Sequence, residues 1–216
     1  MQSQRVNLQM DLLISYIIEG ETKLAIAEVN RQIAAGVHRE QIIVEAIQKA
    51  MELLDSKCTA EQFNLLEIML AGRAAMSIMK ELYPGANDDP STKETVVIAS
   101  LEGDVHDIGK NIVKIILIAE GYKVIDCGKN CPIQTIVDAA ETENAIAVLV
   151  SGLITNVIPQ VKVVKQALVD NNLPGIKVFA GGAALKQFTA DSLNVDNVGE
   201  TAFDVLRFLE SEARYE

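Results

Sequence analysis

The residues able to do chemistry gather in Glu102-Gly103-Asp104-Val105-His106-Asp107-Ile108-Gly109. An imidazole such as His106 can coordinate a metal through one ring nitrogen. Its other nitrogen then needs a carboxylate or carbonyl partner to fix tautomer and orientation. Asp104, two residues back, is the candidate for that partner. Gly109 offers an approach free of a side chain at the start of a predicted helix, where backbone N–H groups favour anionic or polar atoms. The stretch follows an apolar run, residues 95–101, that predicts a buried strand. It precedes residues 110–120, which predict a helix. An Asp, a His and a Gly therefore sit where a strand becomes a helix. In an open α/β sheet, ligands bind at the carboxyl ends of strands.

The elements that must hold this loop follow from the pattern after Lys93. Apolar runs at 95–101, 122–126, 145–150, 176–180 and 195–198 predict strands. Helices are predicted over 111–120, 132–141, 159–171, 185–191 and 201–214. Such alternation calls for a parallel sheet with helices on both faces, and right-handed crossovers make it a Rossmann-like or flavodoxin-like α/β fold. In a 2-1-3-4-5 strand order, three loops lie side by side at the switch point. The first carries Asp104 to Gly109. The second, Ser151-Gly152-Leu153-Ile154-Thr155, offers hydroxyls flanking a small residue. The third, Gly181-Gly182-Ala183, either lets a flat or bulky ligand approach the backbone or is a plain turn.

The first 83 residues show helical periodicity instead. Val6, Met10, Leu13, Ile14 and Ile17 form one apolar stripe, ended by Gly20. Thr22 is the expected N-cap of a second helix carrying Leu24, Ile26, Val29 and Ile33, closed by Gly36. A third helix over 39–56 puts Ile42, Ile43, Ala46, Ile47, Ala50, Met51 and Leu54 on one face. Thr59 and Gln62 have capping-box spacing and start a fourth helix with Phe63, Leu66, Met69, Leu70, Met76, Met79 and Leu82. Four amphipathic helices with short links predict a four-helix bundle. Its methionines are expected as core filler. Two prolines and clustered turn formers between Tyr83 and Lys93 mark a linker. The expected division is a helical cap at 1–83, a linker at 84–93 and a sheet domain at 94–216.

Composition narrows the function classes. Thirty acidic against nineteen basic side chains give a net charge of −11, which argues against a nucleic-acid partner. The first residues lack the apolar core of a signal peptide, and no apolar run approaches the roughly 18 residues of a membrane helix. The expectation is a cytoplasmic protein with no membrane partner. Cys127 and Cys131 form C-x3-C, which suits buried or loop thiols better than a zinc or redox pair. His38 lies in a helix connection without a partner cluster and is expected to be structural or solvent-facing. Asp107 and Lys110 either help to hold a ligand or are solvated charges near a helix start. No zinc set, activated nucleophile or P-loop is visible in the sequence.

The Asp-x-His-x-x-Gly arrangement resembles the signature of the cobalamin-binding domain. The run Glu102 to Asn111 is similar to methyltransferase corrinoid proteins, and Ser-Gly-Leu-Ile-Thr to the cobalamin module of methionine synthase. The resemblance covers about residues 7–213, with a four-helix cap ahead of the binding domain. It implies cobalamin (methylcobalamin, a cobalt corrinoid) bound base-off/His-on, with His106 as the lower axial metal ligand and Asp104 on its other nitrogen. Asp104 and His106 are then the catalytic pair. Ser151, Leu153 and Thr155 would line the pocket of the displaced benzimidazole. Gly109, Gly181 and Gly182 would let the cofactor's tail thread into the sheet, Asp107 would help to hold the tail or the corrin amides, Ile108 would be a further cofactor-binding residue, and the loop at Gly199 would close over the tail.

The implied role is a methyl carrier between a substrate-specific methyltransferase and a tetrahydrofolate- or thiol-type acceptor methyltransferase, with a reductive activase as a further partner. The alternative is a non-enzymatic cobalamin-binding sensor, a class that usually adds a DNA-binding module. Three positions depart from the family pattern. Val157 stands where relatives often carry a hydroxyl that extends the Asp–His pair. Cys58 and Leu65 stand where a Phe and a Leu shield the cobalt face. Val198 stands where Tyr is common.

Overall fold

Residues 2–59, 65–84 and 93–212 are described by the computed structural model. The chain divides into two compact units, Met1–Pro84 and Gly85–Glu216.

The first unit is helical. It contains α1 (Gln2–Ile18), α2 (Thr22–Ala34), a continuous rod made of α3 (Arg39–Ile42), a π-helical stretch (Ile43–Gln48) and α4 (Lys49–Thr59), and then α5 (Leu65–Leu82). The wider π turns let the adjacent pairs Ile42/Ile43 and Ala46/Ile47 all face inward, and all four are fully buried. Leu13, Ile17, Val29, Ile78 and Met79 complete this core.

Two stripes differ from the periodicity-based expectation. On α2 the inward face carries Ala25, Glu28, Val29 and Gln32, while Leu24 and Ile33 are exposed. Burial of Glu28 is offset by charge-assisted bonds from Arg31 (2.8 and 2.6 Å) and an amide bond from Gln32 (2.9 Å). On α5, Met79 is core, but Leu66 and Met69 are over 60% exposed. Thr22 opens α2 as its first residue and is not its cap. The Thr59–Gln62 box, Phe63, most of the 84–93 linker and the side chains of Cys58 and Leu65 lie outside the described residues. His38 is exposed, ahead of α3.

The second unit is a five-stranded parallel sheet, as the alternating pattern predicts, and its strands run in the order β2-β1-β3-β4-β5. Its strands are β1 (Thr95–Ser100), β2 (Lys123–Asp126), β3 (Ala147–Ser151), β4 (Lys177–Gly181) and β5 (Asn197–Gly199). Helices α6 (Ile108–Ala119) and α10 (Asp204–Glu212) belong to one face; α7 (Ile133–Thr142) and α8 (Ile158–Asp170) belong to the other. The helix expected at 185–191 is absent; turns there lead into the four-residue α9 (Ala190–Leu193).

Strand alternation sorts the core into two layers. Val97, Ala99, Val148, Val150, Val178 and Ala180 pack toward α7 and α8. Val96, Ile98, Ala147, Leu149 and Phe179 pack toward α6 and α10. Among the described residues, no helix is long and apolar enough to cross a membrane.

Candidate functional site

Register decides what the rim of the sheet looks like. Ser100 pairs with Ser151, Ser151 with Gly181, and Gly181 with Gly199. A straight row of small residues therefore crosses the carboxyl edge of four strands. By alternation the row belongs to the α6/α10 face. One step below, the Phe179 ring forms a floor. It lies 5.7 Å from the Phe208 ring, and a Cβ at Gly199 would run into it. A Cβ at Gly181 would meet this ring at an ordinary 3.8 Å, and one at Gly109 would meet nothing within 4 Å.

Asp104 lies at the end of this row, fully buried, just after β1. Its Oδ1 accepts from the His106 backbone N–H (2.9 Å) and lies 2.8 Å from His106 Nδ1. Its Oδ2 accepts from the Leu153 N–H at 2.6 Å. One carboxylate thus ties the β1 loop to the β3 loop. A carboxylate oxygen accepts hydrogen bonds, so this contact suits an Nδ1–H donor and turns Nε2 away from Asp104. The His106 side chain is 52% exposed, against 0% for Asp104. The ring is held from inside the protein and reachable from outside. Ser100, which carries no sequence signal of a site, donates to the His106 carbonyl at 3.0 Å.

The other predicted residues distribute around this pair. Ser151 and Leu153 are half-buried on the β3 side, and Thr155 is exposed in a short 3-10 turn (Thr155–Val157). Val157 is fully buried, and its methyl occupies the place a Cβ at Gly152 would take. Ile108 and Gly109 open α6, and Asp107 precedes it, 3.9 Å from Lys129.

Gly182 and Gly199 have a reason of their own to be glycine. Gly182 has φ +112°, and a Cβ there would collide with the Gly152 carbonyl. The β3 and β4 loops are pressed together here, with Gly152 N–H donating to the Gly181 carbonyl at 2.9 Å. Gly182→Ala should therefore destabilise this unit by about 2 kcal/mol or more, read as a lower denaturation midpoint.

Lys110 is not a solvated charge. Its side chain is 2% exposed, and its ammonium lies 2.6 Å from Asp126 at the end of β2. Asp126 also accepts from Lys114 (3.0 Å) and the Gly128 N–H (2.9 Å). Burial alone would raise the Asp126 carboxyl; bonding to Lys110, Gly128 and Lys114 outweighs it and holds the group below its ordinary 3.8. A carboxyl whose pKa falls on folding adds stability above its unfolded pKa and loses it as pH drops through the folded value. Stability should thus fall as pH drops below about 4, and Asp126→Asn should flatten that acid slope. The same variant should lose about 3 kcal/mol at neutral pH, because Lys110 stays buried without its counter-charge.

Cys127 follows Asp126. Burial, with Cys131 and Asp126 beside it, pushes its thiol up to about 11, so it is held as a thiol and not a thiolate. At the far edge, Asp204 holds the loop after β5 by accepting from the Glu200 (2.9 Å) and Thr201 (2.7 Å) N–H groups. Val198 lines a shallow depression there, beside Glu200 and Asp204.

Residues 94–207 match the B12 binding domain family. The trimethylamine corrinoid protein of Methanosarcina barkeri is 31% identical over 194 residues, covering 88% of this chain and 89% of that one. The monomethylamine corrinoid protein of Methanosarcina barkeri has the same fold, with a TM-score of 0.78 over 93% of this chain and 96% of that one at 24% identity. A chain of the methanol:cobalamin methyltransferase complex from Methanosarcina barkeri is 28% identical, with a TM-score of 0.53 over 94% of this chain and 78% of that one. The Asp104–His106 loop and the small-residue rim fall within the matched domain, and this chain belongs to the family of B12-binding corrinoid proteins, with cobalamin as its cofactor.

Proposed function

We propose that this chain is the corrinoid subunit of a methyltransferase system, carrying a methyl group from a substrate methyltransferase to an acceptor methyltransferase. The observation that carries the reading is a half-exposed imidazole whose Nδ1 is fixed by a fully buried carboxylate beside a rim without large side chains. The donor set fits the cofactor. Among the described residues, no three His, Cys, Asp or Glu side chains gather around a metal. A single imidazole suits a metal whose equatorial positions a macrocycle already fills. The bound corrin cobalt would supply the centre that takes up and gives back the methyl group.

The chain's own residues do the rest. His106 would hold the cobalt through Nε2, in the base-off/His-on mode. Asp104 keeps the proton on Nδ1 and sets how strongly the ring donates. Ser151, Leu153 and Thr155 line the pocket of the displaced base. Ile108, Gly109, Gly181 and the small-residue rim make room for the tail, with Asp107 beside it and Gly182 and Gly199 shaping its walls. In this reading residues 1–83 are the cap, 84–93 the linker and 94–216 the binding domain. The similarity to a chain of a methanol:cobalamin methyltransferase complex supports a methyltransferase as partner. A tetrahydrofolate- or thiol-type acceptor enzyme and a reductive activase complete the proposed set.

The test is transfer of a labelled methyl group. Protein loaded with hydroxocobalamin, reduced, and treated with labelled methyl iodide should retain the label. It should release the label to a tetrahydrofolate or thiol acceptor when the acceptor enzyme is added. Release at the same rate without that enzyme, or failure to take up hydroxocobalamin, would overturn the reading.

A further inference from the structure

We infer that Asn130, in the loop after β2, is a positioning residue for His106, acting through the backbone of Asp104. The inference rests on the ligand role proposed for His106 and deepens it. Asp104 can serve both the His106 ring and the Leu153 N–H only if its Cα–Cβ bond is aimed inward. That aim is set by the peptide groups on either side, and all three nearest ones are pinned. The Gly103 N–H donates to the Asn130 side-chain oxygen at 2.7 Å. The Asp104 N–H donates to the Leu101 carbonyl at 2.9 Å, and the Asp104 carbonyl accepts from the Asn130 N–H at 2.9 Å. Asn130 thus grips the chain before and after Asp104.

The residue is itself held for this task. Its φ is +52°, a left-handed conformation that Asn tolerates better than most residues. Its neighbour Cys131 is buried, donates its N–H to the Ser100 carbonyl at 3.0 Å and bridges to Leu101. Two residues earlier, the Gly128 carbonyl accepts from the Ser100 N–H at 2.9 Å. The β2 loop is therefore fastened to β1 on both sides of Asn130. Asn130 projects from a rigid base onto the loop that bears the ligand.

The test separates this role from folding and from the cofactor reading. In the cofactor-free full chain, nitrogen-15 NMR of the His106 ring at about pH 8, where an ordinary imidazole is neutral, should show the Nδ1-protonated tautomer dominating. Asn130→Gly keeps the backbone conformation accessible but removes the side-chain oxygen. It should shift the ring toward mixed tautomers with little change in melting. It should also weaken hydroxocobalamin binding about tenfold, with a smaller His-ligated fraction in the visible spectrum. Asn130→Asp restores an acceptor and should recover the tautomer and most of the affinity. A wild-type tautomer together with wild-type affinity in Asn130→Gly would overturn the inference. So would Asn130→Asp behaving like Asn130→Gly. A shifted tautomer with unchanged hydroxocobalamin affinity would sustain the positioning role and count against His106 as ligand.

Discussion

His106→Ala is expected to bind hydroxocobalamin still, but to lose the visible spectrum of an imidazole-ligated cobalt. The two effects separate because they come from different parts of the site. The row of Ser100, Ser151, Gly181 and Gly199 is set by strand register, and no side chain of that row depends on the ring. Asp104 keeps two of its donors, the N–H of residue 106 and that of Leu153. A half-exposed side chain removed from such a frame should cost at most about 1 kcal/mol of stability. Methyl transfer should slow by about 100-fold or more, since even partners behind a metal ligand are worth 10–100-fold. Titration followed from the ultraviolet to the visible, with transfer of labelled methyl, reads both quantities. An unchanged spectrum would remove the ligand assignment.

Asp104→Asn should produce the larger loss of stability. The buried carboxylate serves three donors with two oxygens: the His106 N–H, the His106 ring Nδ1 and the Leu153 N–H. An amide has one accepting oxygen, and its NH2 must face a donor whichever way it turns. Either the bond to Leu153 or the pair to His106 is lost, inside a site without water access at Asp104. The expected cost is about 2–4 kcal/mol from denaturant midpoints, with Asp104→Ala at least as damaging. Corrinoid affinity should fall 10–100-fold as the ring loses its orienting partner. An Asn variant with wild-type stability and spectrum would show that the charge at this position does not organise the site. Fold-level damage is distinguishable from loss of ring orientation, because His106→Ala shares the spectral change and not the melting change.

The sequence pattern and the folded chain agree most where interactions are local. Apolar strands alternating with amphipathic helices call for a parallel sheet, and right-handed crossovers leave few strand orders, of which the folded chain adopts 2-1-3-4-5. The Asp104–His106 pair is equally local, two residues apart within one loop. Helical periodicity was a weaker guide on α2. There Glu28 and Gln32 turn inward and Leu24 outward, because a mutual hydrogen-bond set makes burial of a carboxylate tolerable. No hydropathy pattern encodes that set.

Residue types in order were enough for the α/β architecture, for the three loops at one sheet edge and for the pairing of a carboxylate with an imidazole. The fold alone shows that Asp104 reaches Leu153, 49 positions on, that Asn130 grips Gly103 from 27 positions away, and that Lys110 is a buried partner of Asp126. It also shows that Gly182 is glycine because the Gly152 carbonyl lies against it. The division has a physical basis. Propensity and periodicity act between near neighbours along the chain. Contacts between distant loops exist only after strand register has brought particular backbone groups within hydrogen-bonding reach of particular side chains.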